Sequence, residues 1–277
     1  MKFSIITASF NPGDKLVKTM NSILDQTFTD YQVIIKDGVS KDGSLSLLEQ
    51  DARIAEAMAT ERILVICQKD KSVYDAMNQA ATYVHGEYVL YLNCGDVFYD
   101  KYVLEKVAKW MDDAETDLQG KRQQNAIFYG NTFCSRTGVM VHSAPKITGF
   151  TCYRNIPCHQ SCFYGRNLIE EKPYDTNLKI RADYDHFLWA FYKKKAAFQY
   201  MDIVISDYEG GGISESKENR AVDKTEHELI IRRYMKSSEI MKYKGIMLLS
   251  LAPLRRWIAE SSALSGAYHK LKDKLYH

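Results

Sequence analysis

Tyr31-Gln32-Val33-Ile34-Ile35-Lys36-Asp37-Gly38 is the stretch that decides the fold. Its apolar run is nearly continuous rather than alternating, as expected for a strand buried on both faces of a parallel sheet. It ends at an acidic residue and a glycine. Upstream, Phe3-Ser4-Ile5-Ile6-Thr7 is a β-rich run stopped by Asn11-Pro12-Gly13, and Leu16, Met20, Ile23 and Leu24 then recur at helical spacing. Downstream, Asp42 or Ser44 is placed to cap a helix carrying Leu45, Leu48 and Ile54. A third strand follows at 63–67, a helix at 72–84, and a fourth strand at 88–92 that runs into Asn93-Cys94-Gly95-Asp96. Alternating strands and helices of this length predict βαβ units and a mostly parallel sheet. Ligands of such sheets sit beyond the carboxyl ends of the strands. Asp37, Asp70 and Asp96 all fall there.

The remaining pattern predicts a helix at 103–110, a polar loop at 112–124, and strands at 127–130 and 138–142. A helix is expected at 179–191, a strand at 198–204, and a hinge or phosphate-contacting turn at Gly210-Gly211-Gly212. From Ser216 onward the chain reads as helical and amphipathic, so the expected plan is a catalytic domain at 1–215 and a helical extension at 216–277. The composition, 277 residues with 45% apolar and 26% charged, suits one large α/β domain with an appendage. A formal net charge of only +2 argues against a nucleic-acid partner. No apolar stretch reaches the roughly 20 residues of a spanning helix, and the first residues lack the pattern of a signal peptide. A cytoplasmic protein with six free cysteines is therefore expected. Cys158, His159 and Cys162 lie close together, but their spacing is not that of a zinc site.

No G-x-G-x-x-G follows the first strand, and no G-x-x-x-x-G-K-[ST] occurs, which weakens dinucleotide-oxidoreductase and NTPase readings. A pyrophosphate can instead be held through a divalent cation on a hard carboxylate ligand. Asp96 offers one. Mg2+ or Mn2+ is the expected cofactor, with no organic cofactor.

The ordered series of segments resembles family-2 glycosyltransferases, in particular the branch acting on bacterial surface polysaccharides. The resemblance rests on Ser4-Ile5-Ile6-Thr7-Ala8-Ser9-Phe10-Asn11, on 35–44 with Asp37-Gly38 and Asp42-Gly43-Ser44, and on Asp70-Lys71-Ser72-Val73-Tyr74-Asp75-Ala76-Met77-Asn78. It continues through Leu92-Asn93-Cys94-Gly95-Asp96, Pro157-Cys158-His159-Gln160, Arg181-Ala182-Asp183-Tyr184-Asp185 and Gly211-Gly212-Ile213-Ser214. It implies a GT-A fold and inverting transfer from a UDP-, GDP- or dTDP-linked sugar to a glycan, expected to be lipid-linked. Ala8, Ser9, Asp37, Asp70, Asp75, Asn78 and Asn93 would then face the donor, Asp37 binding its base. Asp96 would hold the metal, Asp183 would be the general base, and His159 and Gln160 would lie on the acceptor or sugar side, with Asp185 a rival base there.

Two departures stand out. Asn93 replaces the first acidic residue of the metal motif, and Ala182 replaces the acidic residue that normally precedes the base. They keep a catalytically degenerate binding module in view as an alternative. A sugar nucleotidyltransferase is less favoured, because Asn11-Pro12-Gly13-Asp14-Lys15 is not the glycine-rich, arginine-containing loop it requires. Plain structural roles compete at several positions: Asp37 and Asp42 as turn residues, Asp75 as a helix cap or partner of Lys71, Asp183 as a helix N-terminal charge. Near the C-terminus, Arg232, Arg233, Lys236, Lys242 and Lys244 precede Ile246-Met247-Leu248-Leu249, and Arg255-Arg256-Trp257 follow. This pattern suits either an interfacial helix at the inner face of the cell membrane or a homodimer contact.

Overall fold

The computed structural model describes residues 1–118, 125–210 and 217–249. Four strands form the expected parallel half of the sheet: β1 (Phe3–Ser9), β2 (Tyr31–Asp37), β3 (Ile63–Cys67) and β4 (Tyr88–Tyr91). They lie in the order β3-β2-β1-β4. The chain therefore steps outward from β1 to β2 and β3, then returns to β1's other edge. That reversal leaves a crevice at the carboxyl ends of β1 and β4, where ligands of open sheets bind. All seven residues of β2 are buried, which is why its sequence does not alternate.

The linking helices are α1 (Lys15–Leu24), α2 (Ser44–Gln50), α3 (Ala52–Ala59) and α4 (Val73–Ala81). The single helix expected from Leu45 to Ile54 is instead two. Asp51 adopts an extended backbone and its Oδ1 accepts from the Arg53 and Ile54 N–H groups at 3.0 and 3.2 Å, starting α3 anew. Gly43, at φ +83°, takes the N-cap position of α2.

Beyond β4 the sheet becomes mixed. Residues Val97–Phe98 (β5), Ala126–Cys134 (β6), Val139–Val141 (β7), Cys162–Gly165 (β8) and Ala197–Tyr208 (β9) extend it in the order β4-β8-β6-β9-β5, with β7 hairpinned onto β6. β8 runs antiparallel to both β4 and β6. One expectation is corrected here. The polar segment after Asp112 continues helix α5 (Val103–Leu118) rather than forming a loop up to that point. Glu, Asp and Ala propagate a helix well enough, so polarity alone does not mark an interruption. The Gly211–Gly212 hinge, Ile213-Ser214 and Arg255-Arg256-Trp257 lie outside the described residues.

The core packs on both faces of the sheet. Phe3 touches Phe28 and Phe163, with ring centroids 5.4 and 5.2 Å apart. Short helices α6 (Gly149–Arg154) and α7 (Arg166–Glu171) precede α8 (Ala182–Trp189), which runs on into a π-helical turn at Ala190–Lys194. α8 begins where it does because α9 (Arg220–Tyr234) holds its approach. The Glu226 carboxylate accepts from the N–H groups of Lys179, Ile180 and Arg181 at 2.6, 3.0 and 2.9 Å. Arg181 forks onto both oxygens of Asp223 at 2.7 and 2.9 Å. These bonds fold the start of α9 into the compact unit Met1–Ile230, while Ile231–His277 forms a second. Within the second unit, α10 (Ser237–Leu249) leaves Leu248 and Leu249 71% and 83% exposed.

His186 on α8 is fully buried. Its Nε2–H donates to the Leu168 carbonyl at 3.1 Å, and its Nδ1 has no partner. Burial drives its pKa down to about 4. Since the ordinary value is about 6.5, the unfolded chain binds the extra proton first as pH falls. The neutral histidine's contribution is complete above pH 6.5 and is lost between about 6.5 and 4, a loss of roughly 3 kcal/mol. The melting temperature should fall steeply across that window, and His186→Asn should flatten the slope in calorimetric scans.

Candidate functional site

Asp37 closes β2 and is fully buried. Its carboxylate accepts from Ser9 Oγ (2.8 Å), Ser40 Oγ (2.6 Å) and the Ser40 N–H (2.7 Å). These bonds draw the following loop back over the strand end and hold Val39 at φ +67°. A left-handed β-branched residue is a genuine outlier, of the kind that persists only where its surroundings over-determine it. Gly38 is hemmed in: a Cβ there would lie 2.9 Å from Asp70 Oδ2 and 3.1 Å from the Phe10 ring. Phe10 is 68% exposed and Val39 41% exposed. Together they form an apolar shelf at the ends of β1 and β2, beside Ala8 and Ser9. Asp37 thus organises this shelf from beneath.

Lys36 points to the opposite face of β2, as alternation requires. It too is fully buried, and its Nζ donates to Gln68 O (2.5 Å), Asp37 O (3.1 Å) and Asp70 Oδ2 (3.0 Å). Asp70 is therefore the counter-ion of a buried lysine that ties β2 to the exit of β3. The sequence reading overlooked Lys36, yet the signal is there: a charge inside an otherwise apolar strand must find a buried partner.

At the end of β4 the chain turns through Asn93-Cys94-Gly95-Asp96, closed by the Asp96 N–H on the Asn93 carbonyl at 3.0 Å. Thr19 of α1 clips the turn. Its Oγ accepts from the Gly95 N–H and donates to the Asp96 carbonyl, both at 2.9 Å. Gly95 is at φ +102°, a backbone conformation that favours glycine, and it lies against the Glu209 side chain. The Asp96 carboxylate is 4% exposed. Its Oδ2 accepts from Gln160 Nε2 at 2.8 Å and its Oδ1 from the Glu209 N–H at 3.1 Å. Burial raises its pKa above the ordinary value despite these two bonds. Glu209 was absent from the sequence-derived candidates because its contact is made by the backbone, which leaves no mark on residue type.

Asp183 sits in the first turn of α8. Its Oδ2 lies 3.4 Å from His159 Nδ1, and its Oδ1 lies 3.2 Å from the Tyr74 hydroxyl, which also donates to the Ile180 carbonyl. Burial pushes its pKa up, but the bond and charge of His159, the Tyr184 N–H and Tyr74 outweigh it, and the net value lies below the usual carboxylate range. On the other side of the ring, Asn93 Nδ2 lies 3.1 Å from His159 Nε2. With that amide donating, the imidazole proton sits on Nδ1, facing Asp183.

The fold thus links Asn93, Asp96, His159, Gln160 and Asp183 across β4, the 3₁₀ turn His159–Ser161 and α8. Three other candidates are used elsewhere. Asp75 accepts from the Lys71 N–H (2.8 Å) at the start of α4. Asn78 exchanges two 2.9 Å bonds with the Tyr174 backbone. Asp185 is fully buried and ion-paired with Lys172.

Whether a divalent ion fits can be asked of Asp96. Among the described residues no group of three or more His, Cys, Asp and Glu converges on one point. A protein-only cage is therefore excluded for them. A carboxylate offers about four lone-pair positions, and two are filled here. Among the described residues the buried charge has no cationic partner within hydrogen-bond reach. That donor set suits an ion bound by one carboxylate and completed by substrate phosphates.

Residues 4–167 match the sequence profile of the family described as "Glycosyl transferase family 2". The chain is 29% identical over 257 residues to a PGL/p-HBAD biosynthesis glycosyltransferase of Mycobacterium bovis, covering 92% of this chain and 90% of that protein. Among solved structures it is similar to S. aureus TarS 1-349 in complex with UDP-GlcNAc, with a TM-score of 0.62, 18% identity, and 95% and 74% of the two chains covered. It also resembles the mannosyltransferase PcManGT of Pyrobaculum calidifontis in complex with GDP-Man and Mn2+, with a TM-score of 0.62, 15% identity, and 99% and 80% covered. The fold is accordingly GT-A, and the chain is a glycosyltransferase.

Removing one partner of a buried ion pair leaves the other uncompensated and costs about 3–5 kcal/mol. Lys36→Met should therefore lower the denaturant midpoint by an amount equivalent to roughly 3 kcal/mol, and Lys36→Met/Asp70→Leu should recover much of it. Equal midpoints for the wild type and Lys36→Met would remove the pair from the stability of the strand ends.

Proposed function

Since the chain belongs to glycosyl transferase family 2, we propose that it catalyses inverting transfer of a sugar from a nucleoside-diphosphate donor to a glycan hydroxyl, with Asp183 as the general base. The observation that carries this reading is the contrast between two linked carboxylates. Asp96 is buried with a raised pKa, a charge in need of a cation. Asp183 has a lowered pKa, a base kept ionised near neutral pH.

In this reading the donor base rests on the Phe10–Val39 shelf, and the diphosphate extends toward Asp96. A divalent ion, Mg2+ or Mn2+, shared by Asp96 and the donor phosphates would neutralise charge on the leaving nucleoside diphosphate. Gln160 and the Glu209 N–H hold the Asp96 carboxylate in place. Asp183 accepts the proton of the attacking hydroxyl. His159, its tautomer set by Asn93, donates its Nδ1–H toward Asp183 and so orients that carboxylate before the proton arrives. The nucleotide assignment is supported by the UDP-GlcNAc and GDP-Man bound to the two similar structures. The role of the mycobacterial relative in PGL/p-HBAD biosynthesis supports a surface-glycan product. We take the acceptor to be a lipid-linked glycan.

General-base assistance is worth about 10²–10⁴-fold. Asp183→Asn should cut transfer by that factor while leaving intact the thermal shift produced by the preferred nucleoside diphosphate with Mn2+. The acid limb of the wild-type pH–rate profile should lie below the ordinary carboxylate value, because the base protonates only there. Asp185→Asn should instead lower the melting temperature. If Asp183→Asn turned over normally and Asp185→Asn did not, the base would move. No turnover with any donor would favour the binding-module alternative that Asn93 and Ala182 keep open.

A lipid-linked acceptor places the enzyme at a membrane face. Arg232, Arg233, Lys236, Lys242 and Lys244 are exposed, as are Leu248 and Leu249. Among the described residues no helix is long and apolar enough to cross a membrane, so the expected contact is interfacial. The full chain should float with anionic liposomes, and a chain ending at Tyr243 should not. Equal flotation would leave a subunit contact as the role of this segment.

A further inference from the structure

On the Glu209 side of the Asp96 turn lies an open depression lined by Lys15, Lys18, Ser135, Arg136, Glu209 and Gly210. Three separate segments supply it. Lys15 and Lys18 project from one face of α1, three residues apart. Ser135 and Arg136 form the β6–β7 turn, and Glu209 and Gly210 follow β9. The parts are fixed to one another. Lys15 Nζ pairs with Glu209 Oε2 at 2.7 Å, and the Ser135 N–H donates to Asp207 at 3.0 Å. The Arg136 side chain lies against Gly210, where a Cβ would come within 3.1 Å of its Cδ. Three cations thus face one carboxylate. The side-chain charges of Lys18 and Arg136 have no hydrogen-bonding or ion-pair partner among the described residues. A concave surface with a surplus of two positive charges concentrates anions, and a guanidinium is suited to a planar or tetrahedral oxyanion.

The depression is joined to the reaction centre by one residue. Glu209 contributes its side chain to the depression and its N–H to Asp96 Oδ1. The apolar shelf at Phe10 and Val39 belongs to other strand ends, those of β1 and β2. In the proposed function the donor spans from that shelf to Asp96, so an anion beyond Asp96 belongs to the second substrate. We propose that Lys15, Lys18 and Arg136 form an oxyanion subsite that selects an acceptor carrying a phosphate or a carboxylate close to the hydroxyl that is glycosylated. This assignment rests on the donor reading above for its direction, and on the basic cluster itself for its existence.

The test is calorimetric titration of the full chain with inorganic phosphate and, separately, with methyl β-glucuronide. Each is run on the free protein and on protein saturated with the nucleoside diphosphate that most raises its melting temperature. At least one probe should bind with the nucleotide already in place. Replacing Lys18 or Arg136 by Gln should weaken that binding on the order of tenfold each, the scale of one charge-assisted hydrogen bond. All three residues are exposed, so the variants fold, and an unchanged melting temperature verifies it. Preference for phosphate assigns the subsite to a phosphate-bearing acceptor, and preference for the glucuronide to an acidic sugar. The proposal is overturned if neither probe binds, if the nucleotide displaces the probe, or if Lys18→Gln/Arg136→Gln binds as the wild type does. If no nucleoside diphosphate binds, it is the donor reading that fails. The free-protein titrations with the variants still decide whether the anion subsite exists.

Discussion

β1 is paired in parallel on both edges, with β2 from Phe3 opposite Tyr31 to Ser9 opposite Asp37, and with β4 from Phe3 opposite Tyr88 to Ile6 opposite Tyr91. Everything at the site hangs from that double pairing. Because strands in register end together, Ser9 and Asp37 meet at one level and exchange a hydrogen bond. The Asn93–Asp96 turn leaves β4 beside them. A slip of one residue in β2 would turn Lys36 toward the Asp37 side and expose its charge to an apolar layer. The two buried polar residues that end this strand thus hold the register as well as the loops.

Under the proposed function, Asp96 and Asp183 are like groups to which one fold gives unlike tasks. Each is held by hydrogen bonds, Asp96 4% exposed and the Asp183 side chain 21% exposed. The difference lies in the nearest ionisable neighbour: an imidazole beside Asp183, and no cation bonded to Asp96. Environments that drive apart the pKa values of paired acids are what assigns acid, base and ligand roles. Here the separation is achieved with neutral partners at Asp96, an amide and a backbone N–H, and a titratable one at Asp183.

The parallel half of the sheet was legible because burial on both faces writes itself into residue type, as in Val33-Ile34-Ile35. The antiparallel strand β8 was not, since Cys162-Phe163-Tyr164-Gly165 is too short to show a period and follows a 3₁₀ turn. Asp96, Asp183, His159 and Gln160 were picked out as candidates from ordered motifs. Their pairing was not, because His159 meets Asn93 across 66 positions and Asp183 meets Tyr74 across 109. Contacts of that range depend on how elements pack. Asp75, Asn78 and Asp185 were picked out in the same way, and the structure engages them in a helix start, a backbone clamp and an ion pair.

One bond has a consequence for how such an enzyme can diversify. Asp96 Oδ1 is held by the main-chain N–H of residue 209, and not by its side chain. A main-chain donor survives any replacement there except proline. The side chain at 209 is thus free to drift, reshaping the neighbouring depression, while the Asp96 carboxylate keeps its anchor. On the proposed reading, chemistry and substrate choice would be inherited through different atoms of the same residue, so that new acceptors could be explored without first losing the reaction.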